Sequence, residues 1–150
     1  MRFFLRYWLP VIIWMALIFG VSGDPNSVQH TDGILAQFFR WLHIQIAPGQ
    51  LETLRWLVRK CAHMTEYAVL ALLWWRALRG SSHEKGWPAK TALIVLLVCI
   101  FYAATDEFHQ SFVRDRTPSV VDVCIDTTGA LLALGIVRLV VTRAATKPPA

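Results

Sequence analysis

Four apolar stretches, each near the length of a bilayer crossing, constrain this chain more than anything else in it. They are YWLPVIIWMALIFGV (residues 7–21), CAHMTEYAVLALLWWRAL (61–78), residues 91–110, and VVDVCIDTTGALLALGIVRLVV (120–141). A spanning helix needs about 20 mostly apolar residues. Backbone in hydrocarbon must also satisfy its own hydrogen bonds, so single segments of this kind fold as helices. Composition agrees: 55% of residues are hydrophobic and 17% charged, with seven Trp and a mean hydropathy of +0.45, whereas a soluble domain carries about 25% charge. The pattern predicts a single all-α membrane domain. Its four transmembrane helices cover about 7–23, 61–79, 91–110 and 120–141.

The first stretch also fits a cleaved secretory signal, with Arg2 and Arg6 ahead of a short apolar core and VSGD behind it. A retained helix is the favoured reading, because three further spans make a separate signal unnecessary. The second span runs on from a helical stretch expected to begin just after Pro48-Gly49. Between spans one and two, Ile34, Leu35, Phe38, Phe39 and Leu42 recur at helical spacing behind Thr31 or Asp32 as N-cap. This amphipathic segment, about 31–45, is too short and polar to span and is expected to lie in the interface or over the bundle. Residues 144–150 read as a disordered tail. Cys61, Cys99 and Cys124 lack metal-type spacing and form no even framework. They read as buried small residues.

A net charge of +5 does not point to nucleic acid, because no basic patch with interleaved aromatics is present. The cations punctuate the apolar segments instead, and four crossings sort them. Nine of the fifteen Lys and Arg (Arg2, Arg6, Arg76, Arg79, Lys85, Lys90, Arg138, Arg143, Lys147) share a side with both termini. Six (Arg40, Arg55, Arg59, Lys60, Arg114, Arg116) fall on the other. The positive-inside rule places both termini in the cytoplasm. Of the acids, only Glu84 falls on that side.

The outer ends of the spans carry the polar residues. Lys60, His63 and Glu66 stand at i, i+3, i+6, sharing a helix face. Asp106 and Gln110 are four apart, as are Asp122 and Asp126, and Gly129 and Ala133 continue the latter stripe as a smooth packing surface. A charge at the bilayer centre costs about 2.5–3.5 kcal/mol, so these groups are expected to face one another or a wet cavity. Glu66, Asp106, Glu107, Asp122 and Asp126 would repel unless cations, protons or ligands compensate; Lys60 and Arg116 are the nearest structural partners in sequence. His109 falls on a different helical face. Arg114, Asp115, Glu52, Arg55 and Arg59 read as interfacial or solvated side chains.

The blocks RKCAHMTEYAVLALL and YAATDEFHQSFVRDRTPSVVDVCIDTTGALL resemble those of the VanZ-like family of small bacterial membrane proteins. That family's pattern is K-x-x-H-x-x-E-Y, then D-E-x-H-Q, then R-x-x-S-x-x-D-x-x-x-D-x-x-G with Asn also common at the second Asp. The matching residues are Lys60, His63, Glu66, Tyr67, Asp106, Glu107, His109, Gln110, Arg116, Ser119, Asp122, Asp126 and Gly129. Where the family often has a Pro-Gly turn before the Arg, this chain has Arg114-Asp115. The resemblance implies a role in the bacterial cell envelope, in the cytoplasmic membrane, and its namesake is associated with resistance to the glycopeptide teicoplanin.

Two classes of function stay open from the residues. In the first, the matched residues from Lys60 to Asp126 form a pocket for a membrane lipid or a lipid-linked, peptidoglycan-related precursor. Lys60 and Arg116 would hold phosphate, and the acids sugar hydroxyls or a bridging Mg²⁺. In the second, the protein is a hydrolase or transferase acting on a lipid-linked phosphate. His63 or Glu66 would then be general base, and Glu66, Asp106, Glu107 and Asp122 the candidate Mg²⁺ ligands. The chain has no H-E-x-x-H, G-x-S-x-G or P-loop to single out a reaction. Proton-coupled transport is disfavoured, since LALLWW, ALIVLL and ALLALG hold no acids. A homo-oligomer is compatible with either class.

Overall fold

A computed structural model describes residues 1–23, 27–43, 47–80, 86–113 and 118–146. Among them all regular structure is helical: α1 (Arg2–Tyr7), α2 (Leu9–Ser22), α3 (Ser27–Trp41), α4 (Pro48–Arg79), α5 (Ala89–Gln110) and α6 (Val120–Ala145). Two helices, α5 and Val120–Ala144 of α6, are long and apolar enough to cross a membrane. The helix α2 is apolar but short, and α4 is long but charged in its first half.

Local chemistry sets the ends of the helices. The first expected span is divided at Trp8, because Pro10 in the first turn of α2 has no N–H to give to the preceding turn. The break is slight, with Trp8 N–H bonding Phe4 O at 2.9 Å and Ile12 N–H bonding Trp8 O at 3.1 Å. Helix α4 starts at Pro48, a residue suited to a first turn, and the Gln50 side chain accepts from Ala47 N–H at 3.3 Å. At about 1.5 Å per residue its 32 residues run about 48 Å, well past a hydrocarbon layer of about 30 Å. Helix α3 begins before Thr31 and Asp32, the expected caps, since nothing between Ser27 and His30 breaks a helix. It ends at Trp41, short of the expected limit near 45, where residues 44–46 lie outside the described ones.

Side-chain contacts give the helices alternating directions. Trp14 Nε1 donates to Glu66 O at 2.9 Å and Trp8 meets Trp74 edge-on at 5.3 Å, so α2 and α4 are antiparallel. Tyr102 donates to Met15 O at 2.5 Å and Ser22 Oγ to Asp106 at 2.8 Å, so α2 and α5 are parallel. Lys60 pairs with Asp122 and His63 faces Asp126, so α4 and α6 are parallel. The core between them is Ile18, Tyr67, Leu70, Ala71, Trp75, Val95, Cys99, Ala103, Ala130, Ala133 and Leu134. Small residues bring α4 and α6 together, and a Cβ on Gly129 would run into the Met64 carbonyl.

Much of the remaining apolar surface faces outward. Only 28% of the apolar window of α5 and 33% of that of α6 is buried. Leu93, Leu97, Phe101, Leu132, Ile136 and Val140 lie on the outside. Cys61 and Cys124 are exposed on this outer surface and only Cys99 is buried, which corrects the expectation that all three are core residues. Small apolar thiols on an outward face fit apolar surroundings as well as a core does.

Candidate functional site

The polar residues of the sequence pattern collect at one end of the helix assembly, where the C-terminal ends of α2 and α5 meet the middle of α4 and the start of α6. His63, Asp106, Glu107, Gln110, Asp122 and Asp126 are all buried there, and Ser22 with them. Position in the helices explains the convergence. Asp106 and Gln110 lie one turn apart on α5, and Asp122 and Asp126 one turn apart on α6. The α6 pair faces the side of α4 that carries Lys60 and His63, and the α5 pair meets Ser22 of α2.

Asp122, Asp106 and Glu107 each accept from a partner within the chain, and Asp126 faces His63. Lys60 Nζ donates to Asp122 Oδ1, and Arg59 stands 3.9 Å from the other Asp122 oxygen. His63 Nδ1 lies 3.4 Å from Asp126 Oδ1, off the line of a good hydrogen bond. Asp106 Oδ2 accepts from Ser22 Oγ at 2.8 Å and from Gln110 Nε2 at 3.2 Å, and Gln110 also donates to Ser22. Glu107 Oε2 accepts the Ser119 backbone N–H at 2.6 Å. Ser119 caps α6, its Oγ accepting from Asp122 N at 3.4 Å. Glu66 is half-buried, in the field of His63, Asp126 and Asp106.

The expected mutual repulsion of the acids is therefore relieved only in part by neighbours, and the cluster is also part of the scaffold. Lys60 is engaged by Asp122, so it is not free at a rim to hold phosphate. Glu107 and Ser119 close the junction between α5 and α6. Arg116, with Arg114 and Asp115, lies outside the described residues. His109 stands apart, stacked on Phe19 with ring centroids 3.9 Å apart, closing the end of α2.

Glu66, Asp106, Glu107 and Asp122 do not converge as a ready-made metal centre. Among the described residues no three His, Cys, Asp or Glu side chains gather closely enough to hold a metal ion. The physical reason is that Asp106, Glu107 and Asp122 each turn one oxygen to a different local donor. What remains is a set of buried atoms without a hydrogen-bond partner among the described residues: Asp106 Oδ1, Glu107 Oε1, both Asp126 oxygens and the hydroxyl of fully buried Tyr67, with the nitrogens His63 Nδ1, His109 Nδ1 and Arg59 Nε.

Ser22 is the participant that the sequence reading misses. It ends an apolar helix in VSGD, where a small hydroxyl reads as the edge of a span. Only the packing of α2 beside Asp106 and Gln110 reveals it.

Among the described residues the fold and the site define an all-helical architecture, with two helices apolar enough to cross a membrane and a buried polar cluster at one end. The family model described as VanZ/LLP1 matches residues 7–141, and the chain belongs to that family. No curated protein and no solved structure matches it.

Proposed function

We propose that the protein is a multi-pass membrane protein of the bacterial cell envelope whose polar cluster holds the headgroup of a lipid or lipid-linked precursor at the outer face. In this reading α2, α4, α5 and α6 all cross the cytoplasmic membrane, with both termini inside, and α3 lies along the outer interface. The alternating helix directions support it. So does the separation of charge: Arg76 stacks over Tyr7 at 5.3 Å at the end opposite the acids, beside Arg2 and Arg6. Exposed Ile34, Phe38 and Trp41 support the placement of α3.

The observation that carries the reading is the set of buried carboxylate oxygens left without a donor. Such groups are costly in a low-dielectric interior unless something answers them. A headgroup entering from the outer leaflet supplies donors without the convergent geometry of a metal ion. A contribution to teicoplanin tolerance belongs to the same reading, through a change in the envelope.

Native mass spectrometry of the purified protein tests it. The wild type should retain lipid, and Glu66→Gln and Asp106→Asn should each lower retention by about tenfold or more, since hydrogen bonds to charged groups contribute about 1.5–3 kcal/mol. Melting temperature should change little, because the amide oxygen that replaces the Asp106 carboxylate still accepts from Ser22 and Gln110. Matched losses of stability and retention in both variants would defeat the headgroup reading in favour of a purely structural cluster.

A further inference from the structure

The geometry points to the class of group this site takes: the protonated amine of a membrane headgroup. This inference rests on the headgroup reading above and narrows it. Most described donors at this end already serve an acid or its neighbour, although His63 Nδ1, His109 Nδ1 and Arg59 Nε have no hydrogen-bond partner among the described residues. Lys60 is given to Asp122, Ser22 and Gln110 to Asp106, the Ser119 N–H to Glu107, and His63 faces Asp126. The five unanswered oxygens are of the other kind. Four are carboxylate oxygens, which only accept, and the fifth is the Tyr67 hydroxyl, which accepts as well as donates.

Tyr67 is the independent sign of a ligand. Its ring is fully buried, its hydroxyl has no partner, and it stands in the field of both Asp126 and Asp106. A neutral phenol does not share the explanation of paired acids repelling one another, yet it is orphaned at the same place.

A phosphate brings only acceptors and negative charge to Asp106, Glu107 and Asp126, so it answers none of the four carboxylate oxygens and could accept a hydrogen bond only from Tyr67 or one of the unpaired nitrogens. A divalent ion such as Mg²⁺ would need the oxygens to converge at about 2.0–2.1 Å, and among the described residues they do not gather in that way. An ammonium carries three N–H donors that reach acceptors at about 2.7–2.9 Å. It also brings the positive charge that buried carboxylates require.

The experiment places the full-length protein in nanodiscs with equal amounts of phosphatidylethanolamine, phosphatidylcholine and phosphatidylglycerol, then weighs the lipids it retains on release. The ethanolamine lipid has a primary ammonium; the choline lipid has the charge without N–H donors, and the glycerol lipid has hydroxyls without the cation. The expected result is enrichment of the ethanolamine lipid over both others by about tenfold, the equivalent of about 1.4 kcal/mol. Asp126→Asn and Tyr67→Phe should bring the three lipids close to parity. Tyr67→Phe keeps the ring and removes only a hydroxyl without a bonded partner, so it reports on binding even if Asp126→Asn folds poorly. Equal retention, enrichment of the glycerol or choline lipid, or an ethanolamine preference that survives Tyr67→Phe overturns the amine inference while leaving a headgroup site standing. Failure of the wild type to retain any of the three overturns both.

Discussion

Gly129→Ala should separate α4 from α6 and cost about 3 kcal/mol or more of stability, the upper end for overpacking. Ordinarily this change in a helix would be favourable by about 1 kcal/mol. Here the new Cβ would meet the carbonyl, carbonyl carbon and Cα of Met64. Those are backbone atoms of a long helix, which cannot turn aside as a side chain does. Gly135 supplies the control on the same helix, since a Cβ there meets nothing within 4 Å. Gly135→Ala should leave the melting temperature unchanged or slightly raised, whereas Gly129→Ala should lower it sharply in the same detergent. Equal effects of the two would show that the close approach of α6 to α4 is wrong.

Lys60→Met should be nearly as damaging, for an electrostatic reason. Asp122 is 2% exposed, and Lys60 is its direct partner. Arg59, 3.9 Å from the second oxygen, is more exposed and too distant to replace it. Removing one member of a buried pair typically costs about 3–5 kcal/mol, because the other charge is left alone. Adding Asp122→Asn to Lys60→Met should recover much of that loss, since the orphaned charge is then gone. Thermal unfolding of the wild type, both single variants and the double variant closes the cycle. Additive losses would mean that the two side chains do not act as a pair.

These residues also show what can be read from sequence alone. The i, i+3, i+6 spacing of Lys60, His63 and Glu66 sets one helix face, and the four-residue spacing of Asp122 and Asp126 sets another. The parallel register of α4 and α6 follows once those faces meet, and Gly129 is legible as a point of close approach. Pairing is not legible in this way. Which acid takes Lys60, and whether four carboxylates converge on one ion or turn to separate donors, depends on displacements of a few ångströms. Among the described residues no three such side chains gather at that scale. Ser22 was hidden for a different reason: one hydroxyl in an apolar helix has no periodic signal, and its partners on α5 are more than eighty residues away. Cys61 and Cys124 look like core residues because an outward face toward lipid and an inward face toward a core select the same apolar side chains.

The most direct test of the proposed outer placement of the polar site is the sidedness of its end of the helices. In a chain with the exposed Cys61 and Cys124 replaced by Ser, single cysteines at Phe112 and at Ala89 mark the two ends of α5. Both positions are exposed. Intact cells treated with a membrane-impermeant thiol reagent should label Phe112→Cys and leave Ala89→Cys unreacted until the membrane is opened. Labelling of Ala89→Cys with protection of Phe112→Cys would put the acids on the cytoplasmic side and contradict an outer headgroup site.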